Sequence, residues 1–271
     1  MQSVNRTRPS NDIILQNELA QRIADRQQQI ATTRRIDRAS DDPAAWSEIS
    51  NIAKVQANMD AWLRNIDRGL SIAAQADGAM SEINSQLARA TELLIQASNE
   101  TISPVDLETI AQEVEGIGGT IADILGQDNG FGRPLFNDGP PLEIPIDDDI
   151  VAVAAPSKTG FNALAPLITN IANTIRTGDA NQRSALLDPL RLQSDITANI
   201  LGNHGIENDR LLQGAARLQD RKIDVSEYRA SLEETDITLA ITETQKLLIN
   251  LEAAQAAYAR IEQSSLFDQI R

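Results

Sequence analysis

"AAWSEISNIAKVQANMDAWLRNIDRGLSIAAQADGAMSEINSQLARATELLIQAS", residues 44–98, is the stretch that decides the fold. Ala45, Ile52, Met59, Ile66, Ala73, Met80, Leu87 and Leu94 recur at every seventh position. A second row, Val55, Trp62, Gly69, Ala76, Ile83, Ala90 and Ala97, lies three residues on from the first. Two rows in this relation form the a/d seam of a helix buried along one narrow stripe. At about 1.5 Å per residue such a helix is on the order of 80 Å long, more than a compact domain accommodates. The stretch predicts a rod.

The residues before it, "RRIDRASDDPAAW" (34–46), are strong punctuation between two helix-friendly segments. Asp42 reads as the N-cap and Pro43 as the first helical residue, where proline's missing N–H costs nothing. Asp41 and Asp42 also suit the positive end of the helix dipole. Ser40, Asp41, Asp42 and Pro43 therefore form a hinge and cap. Residues 34–41 are expected to join a terminal helix to the long one, with Arg34, Arg35 and Arg38 placed to meet acidic faces of this or neighbouring chains.

Beyond the long helix, Ser103 and Pro104 begin a second one, with Leu107, Ile110, Val114, Ile117, Ile121 and Leu125 on one face. Gly116, Gly118 and Gly119 weaken it and suggest a close helix approach. "GQDNGFGRPLFNDGPPLEIPIDDD" (126–149) reads as turns and short strands, and "IVAVAAP" adds a strand, which predicts a small β element between about 131 and 156. Phe161, Leu164, Leu167, Ile168, Ile171 and Ile175 line a short helix, and another starts near Ala180 with Pro189 as a kink or restart. From about residue 206 a seam returns as Leu211, Leu218, Val225, Leu232 and Leu239. The rows Ile237/Leu251/Tyr258 and Ala240/Leu247/Ala254/Ile261 continue in a shifted phase, which marks a break or stutter near 237–240. The expected fold is mainly α: an elongated antiparallel helical bundle built from both chain ends, with a small β-containing tip in the middle.

Composition narrows the function. The net charge of −15 argues against nucleic-acid binding, which needs a basic surface. There is no cysteine, so disulfides and thiolate chemistry are excluded. Aromatics are 3% of the residues, too few for an ordinary globular core, and the apolar content is the Ala, Leu and Ile of packed helices. No apolar run approaches the roughly 18–20 residues that span a bilayer, and the N-terminus lacks the apolar core of a secretory signal. His204, the single histidine, makes neither a two-histidine dyad nor a multi-histidine metal site, and reads as a helix-surface residue. Asp147-Asp148-Asp149 lacks the spaced ligands and glycine of a calcium loop and reads as a solvated acidic turn. "GIGGT" (116–120) has no following Gly-Lys-Ser/Thr and is no phosphate loop. No catalytic, cofactor or metal constellation emerges, so the expectation is a non-enzyme with no cofactor and no membrane insertion.

The functional weight falls on the termini. Residues 1–40 carry seven arginines against four acids, a net of +3, and residues 227–271 carry eight acids against four bases, a net of −4. Residues 12–36 offer one thin apolar face, and isolated helices of this length are marginal in water. Amphipathic, charge-complementary ends of this kind are candidates for ordering on assembly. The expected organisation is an assembly helix over 1–36, the two halves of a core bundle over 37–138 and 206–236, a short variable centre over 139–205, and a C-terminal assembly helix over 237–271.

Several of these stretches resemble the bacterial flagellin family. "RRIDRASDDPAAWSEISNI" is similar to its N-terminal signature, and "GLSIAAQADGAMSEINSQLARATELLIQASNET" to its following helix. "DILGQDNGFGRPLFNDG" resembles its Gly/Asn-rich turn, and "SLEETDITLAITETQKLLINLEAAQAAYARIEQSSLFDQIR" its C-terminal helix. Within the family, "QQQIATTRRI", "SDDPAA", "ALAPLITNIANTIRTGD" and the ending "AAYARIEQSSLFDQIR" look more like the flagellin-like hook–filament junction subunit, whereas "GAMSEINSQL" leans toward the filament subunit. The short centre matches neither a large flagellin outer domain nor a full junction-protein insert. The resemblance implies an extracellular flagellar subunit, exported without a cleaved signal peptide through a type III channel. It further implies partners in copies of itself, hook-associated proteins, flagellin and an export chaperone. The contacts between subunits would fall on Ile14, Leu15, Leu19, Ile23, Ile30, Arg34, Arg35 and Arg38, and on Ile241, Leu248, Leu251, Tyr258, Ile261, Leu266 and Phe267. A cytoplasmic coiled-coil scaffold explains the seams as well, but not the Gly/Asn turn together with the complementary ends.

Overall fold

The computed structural model describes the backbone of residues 11–268 and the side chains of residues 13–260. Seven α-helices are described: α1 (Asn11–Thr32), α2 (Pro43–Ala97), α3 (Pro104–Leu125), α4 (Leu164–Thr177), α5 (Ala180–Ser184), α6 (Leu187–Glu233) and α7 (Ile237–Asp268). Between α3 and α4 lie two antiparallel strands, β1 (Leu142–Asp147) and β2 (Ile150–Ala155), and a 3-10 turn (Lys158–Phe161). The chain divides into two compact units, one of residues 56–222 and one of the residues up to 55 together with those from 223. Among the described residues no helix is long and apolar enough to cross a membrane.

In the unit of residues 56–222 the core is the seam of α2. Met59, Ile66, Met80, Ile83, Leu87 and Leu94 are fully buried, and each such side chain contributes about 1.5–3 kcal/mol relative to exposure. Ile72, Ala79 and Leu93 are buried as well, so the stripe is wider than a two-helix seam requires. These residues share one core with Ile110, Val114, Ile117 and Ile121 of α3 and Leu164, Ile168, Ile171 and Ile175 of α4. Ser103 caps α3 by accepting the Asp106 N–H at 3.2 Å, and Pro104 follows it. Arg176 of α4 ties down α3, donating through Nε to Glu108 Oε2 at 3.0 Å and through Nη2 to Glu115 Oε2 at 2.9 Å. Leu135 and the edge-to-face pair Phe136/Phe161, with centroids 5.6 Å apart, join the same core.

The β-hairpin is shorter than the 131–156 span expected, because residues 127–141 are turns carrying a single bridge, Asp128 to Pro134. Its strands reach α2 and α6 where these helices have glycine. A Cβ on Gly69 would stand 3.4 Å from Ile144 Cγ1 and from Leu211 Cδ2, and one on Gly214 would stand 3.2 Å from Ile146 Cδ1. The acidic triplet lies at the hairpin turn, with Asp148 N–H donating to Asp147 Oδ1 at 2.9 Å.

Pro189 marks a restart, as expected: α5 ends at Ser184 and α6 begins at Leu187, with Pro189 in its first turn, where the backbone N–H has no helical partner to lose. One expectation changes in α6. His204 is not on the helix surface. It is 3% exposed, with Nε2 2.9 Å from the Ala73 carbonyl oxygen of α2. The reason is periodic: Leu190, Thr197, His204, Leu211 and Leu218 are seven apart and all buried, so His204 occupies a seam position that sequence hydropathy alone does not mark.

The second unit holds α1, the start of α2, the end of α6, and α7. Here α1 packs against α7. The phase shift near 237–240 is a true break: α6 stops at Glu233 and α7 starts at Ile237, with Asp236 Oδ1 accepting the Leu239 N–H at 2.9 Å. Leu239, aligned with the seam of α6, consequently turns outward.

Candidate subunit interface

The hinge is built by short-range hydrogen bonds. Asp41 Oδ2 accepts the N–H groups of Asp37 at 3.0 Å and Arg38 at 2.8 Å, which holds its carboxyl below the usual carboxylate range. Ser40 Oγ donates to Asp41 Oδ1 at 3.5 Å. Asp42 Oδ1 accepts the Ala45 N–H at 3.1 Å, and Pro43 opens α2. Ile36 is buried at the centre of this segment, a residue the sequence did not single out.

This break meets the other one. Thr33 takes a positive φ of 58°, and its carbonyl accepts the Thr235 N–H at 3.1 Å. The Arg35 N–H donates to the Glu233 carbonyl at 2.6 Å, and Arg34 bridges Glu234. Arg35 Nη2 donates to the Leu232 carbonyl at 3.1 Å and Arg34 Nε lies 3.9 Å from Glu233 Oε2, so both arginines face an acidic segment of their own chain. Arg38 is in no salt bridge among the described residues.

The apolar candidates on α1 and α7 fall into two sets. Leu19, Ile23 and Ile30 on α1, and Leu251 and Tyr258 on α7, are buried or half-buried on the faces that pair. Their spacing follows the a/d rule, and Ala240, Thr244, Leu247 and Ala254 complete the α7 stripe. Across it Arg26 Nη2 meets Glu243 Oε2 at 3.0 Å, one contact between the basic and acidic ends that the sequence did not assign. Ile14, Leu15, Ile241 and Leu248 point outward, 41–50% exposed. Ile13, Ile237, Leu239 and Ile249 are exposed beside them. Ile261, Leu266 and Phe267 lie outside the described side chains.

Residues 11–139 match the bacterial flagellin N-terminal helical region. The match takes in just under half of the chain. Polar flagellin C of Vibrio parahaemolyticus is 35% identical to it over 111 residues, 41% of this chain and 29% of that protein. A Salmonella choleraesuis flagellin is 27% identical over 191 residues, 65% of this chain and 37% of the flagellin. The chain thus spans well under half the length of these curated relatives. Among solved structures, one assigned to a flagellar hook-associated protein of Vibrio parahaemolyticus superposes with a TM-score of 0.64 at 11% identity, covering 72% of this chain and 100% of the other. Bacillus cereus FlgL gives a TM-score of 0.56 at 17% identity, covering 66% of this chain and 98% of FlgL. At these identities the likeness is one of fold.

Proposed function

We propose that this chain is a flagellin-family structural subunit of the bacterial flagellum that polymerises through α1 and α7, and that it is the flagellin-like hook–filament junction subunit. The observation that carries the first part is the pairing of the N- and C-terminal helices, which leaves Ile14, Leu15, Ile241 and Leu248 exposed beside the pair. Two helices joined by one stripe bury little apolar surface, and exposed apolar residues in a row favour association with further copies. In this reading residues 1–36 and 237–271 are the assembly arms, joined by the hinge at Ser40–Pro43 to the rest of the chain.

The junction role is supported by length. The hook-associated and FlgL chains are covered almost end to end, whereas the flagellins are covered over about a third. The filament subunit is the second reading, favoured by the flagellin names of the sequence relatives. The subunit leaves the cell by type III export, with an export chaperone before assembly, and works outside the cell as a non-enzyme without cofactor. Its partners are copies of itself, hook-associated proteins and flagellin, not nucleic acid or a membrane interior. Gold-labelled antibody on sheared flagella decides between the readings. The junction role predicts label confined to one short zone beside the hook. Label along the whole filament would establish the second reading, and absence from flagella would overturn both.

A further inference from the structure

Phe131 is presented to solvent by a turn built for the purpose. Phe136 and Phe161 are buried, whereas Phe131 is 52% exposed. Scattered exposed apolar residues are ordinary, but this one sits in a turn fixed by its own hydrogen bonds. Gly130 and Gly132, on either side, have φ of 75° and 74°, the left-handed region that glycine enters freely. The Phe131 N–H donates to the side-chain oxygen of buried Asn129 at 3.0 Å, and the Asn129 N–H closes the turn on the Arg133 carbonyl at 2.9 Å. The Arg68 guanidinium of α2 sits over the ring, 5.1 Å from its centroid. An aromatic fixed in this way loses little freedom when it docks.

A groove of complementary character lies between the start of α2 and the end of α6, in the unit that contains the chain ends. Its cavity is about 590 Å³, in the range of about 300–1,000 Å³ that admits sizeable ligand groups. Small Ala44 and Ser47 leave the space, and Ile52, Val55, Val225 and the ring of Tyr228 give it apolar walls. Its only charged lining residues are the acids Glu48 and Asp224. Beside Phe131 stand two cations, Arg68 and Arg133, with Glu143 in the same hollow. Among the described residues neither arginine, nor Glu48 or Asp224, is in a salt bridge; Glu48 Oε1 accepts the Tyr228 hydroxyl at 2.7 Å, which leaves its second oxygen and Asp224 to meet a cation.

We propose that Phe131 of one copy inserts into the α2/α6 groove of a second copy, with Arg68 and Arg133 facing Glu48 and Asp224 across the contact. Knob and groove are different patches of the chain, so the contact is heterologous and repeats from copy to copy instead of closing as a two-fold pair. The inference rests on the reading of the protein as a self-assembling subunit and adds a contact apart from the terminal helices.

The test uses the full chain with Phe131→p-benzoylphenylalanine, which keeps the aromatic ring and cross-links on irradiation. Assembled protein should give a dimer-sized band whose adduct maps to residues 44–55 or 224–228, and Ser47→Trp, filling the groove, should lower its yield about tenfold. Phe131→Ala, at an exposed position, should leave the thermal unfolding curve unchanged while weakening assembly about tenfold. Polymers whose adducts map elsewhere, or that give no dimer band, would overturn this contact and leave the subunit role standing. The mapped adduct in protein that stops at small oligomers would uphold the contact and count against the subunit role. Neither band nor assembly would overturn both.

Discussion

Helix α3 carries three glycines, and the structure separates them. A Cβ on Gly118 would stand 3.0 Å from Ile168 Cγ2 of α4, whereas one on Gly116 or Gly119 would meet nothing within 4 Å. Glycine inside a helix costs about 0.8–1.0 kcal/mol relative to alanine. Gly116→Ala and Gly119→Ala should therefore each stabilise by about 1 kcal/mol. Gly118→Ala gains the same propensity, but its methyl presses on Ile168, which is 2% exposed and held in the core. Overpacking of this kind costs about 1–3 kcal/mol, so the net effect runs from about zero to about 2 kcal/mol of destabilisation. Urea unfolding followed by far-ultraviolet circular dichroism measures all three, with an unchanged m-value as the check that stability alone has moved. If Gly118→Ala stabilises as much as the other two, the close approach of α3 and α4 at this point is wrong.

Other substitutions probe the remaining parts. Asp42→Ala removes the cap of α2 and should cost about 1 kcal/mol in thermal or urea unfolding, while Asp42→Asn should cost much less. His204→Leu gives up one hydrogen bond but also removes a buried Nδ1 that has no partner, so stability should stay within about 1 kcal/mol of the parent. His204→Asp should lose at least about 3 kcal/mol by burying an unpaired charge; equal losses for the two would contradict the seam position. Hydrogen bonds from Arg176 hold Glu108 and Glu115 below their ordinary 4.5, and one from Lys222 holds Asp60 below 3.8. Folded carboxyls that titrate below their unfolded values stabilise fully above about pH 4.5 and lose that contribution as pH falls through the lowered values. Arg176→Gln should therefore flatten the acid side of the stability profile, read from urea midpoints at about pH 7 and pH 3. Deleting residues 1–36 should abolish polymerisation, seen by electron microscopy, while circular dichroism still reports a folded helical remainder.

How much of this was legible in the sequence depends on what each residue's neighbours are. The seam of α2 was readable because local spacing alone fixes which side of a helix is apolar. Met59, Ile66, Met80, Leu87 and Leu94 are all fully buried, and the helix begins at the proline its cap predicts. Val55 belongs to the same pattern yet is 38% exposed, because it borders the open groove between α2 and α6. His204 was misjudged for the opposite reason. Its chemistry suggested a surface, but the seven-residue row from Leu211 and Leu218 extends back through it. Asn129 gave no periodic signal, since its burial follows from the fold of the turn around Phe131. At the interface, composition marked the terminal helices but did not sort inner from outer residues. That sorting required the partner helix: only the pairing of α1 with α7 tells Ile23 from Ile14, or Leu251 from Leu248.

The central claim is that the paired terminal helices gain their stability from assembly. Hydrogen exchange read peptide by peptide, on the free chain and on the polymer, tests it most directly. The account predicts that amides of α1 and α7 exchange rapidly in the free chain and become strongly protected in the polymer, while those of α2 between residues 59 and 94 are protected in both. Equal protection of α1 and α7 in the two states would contradict it.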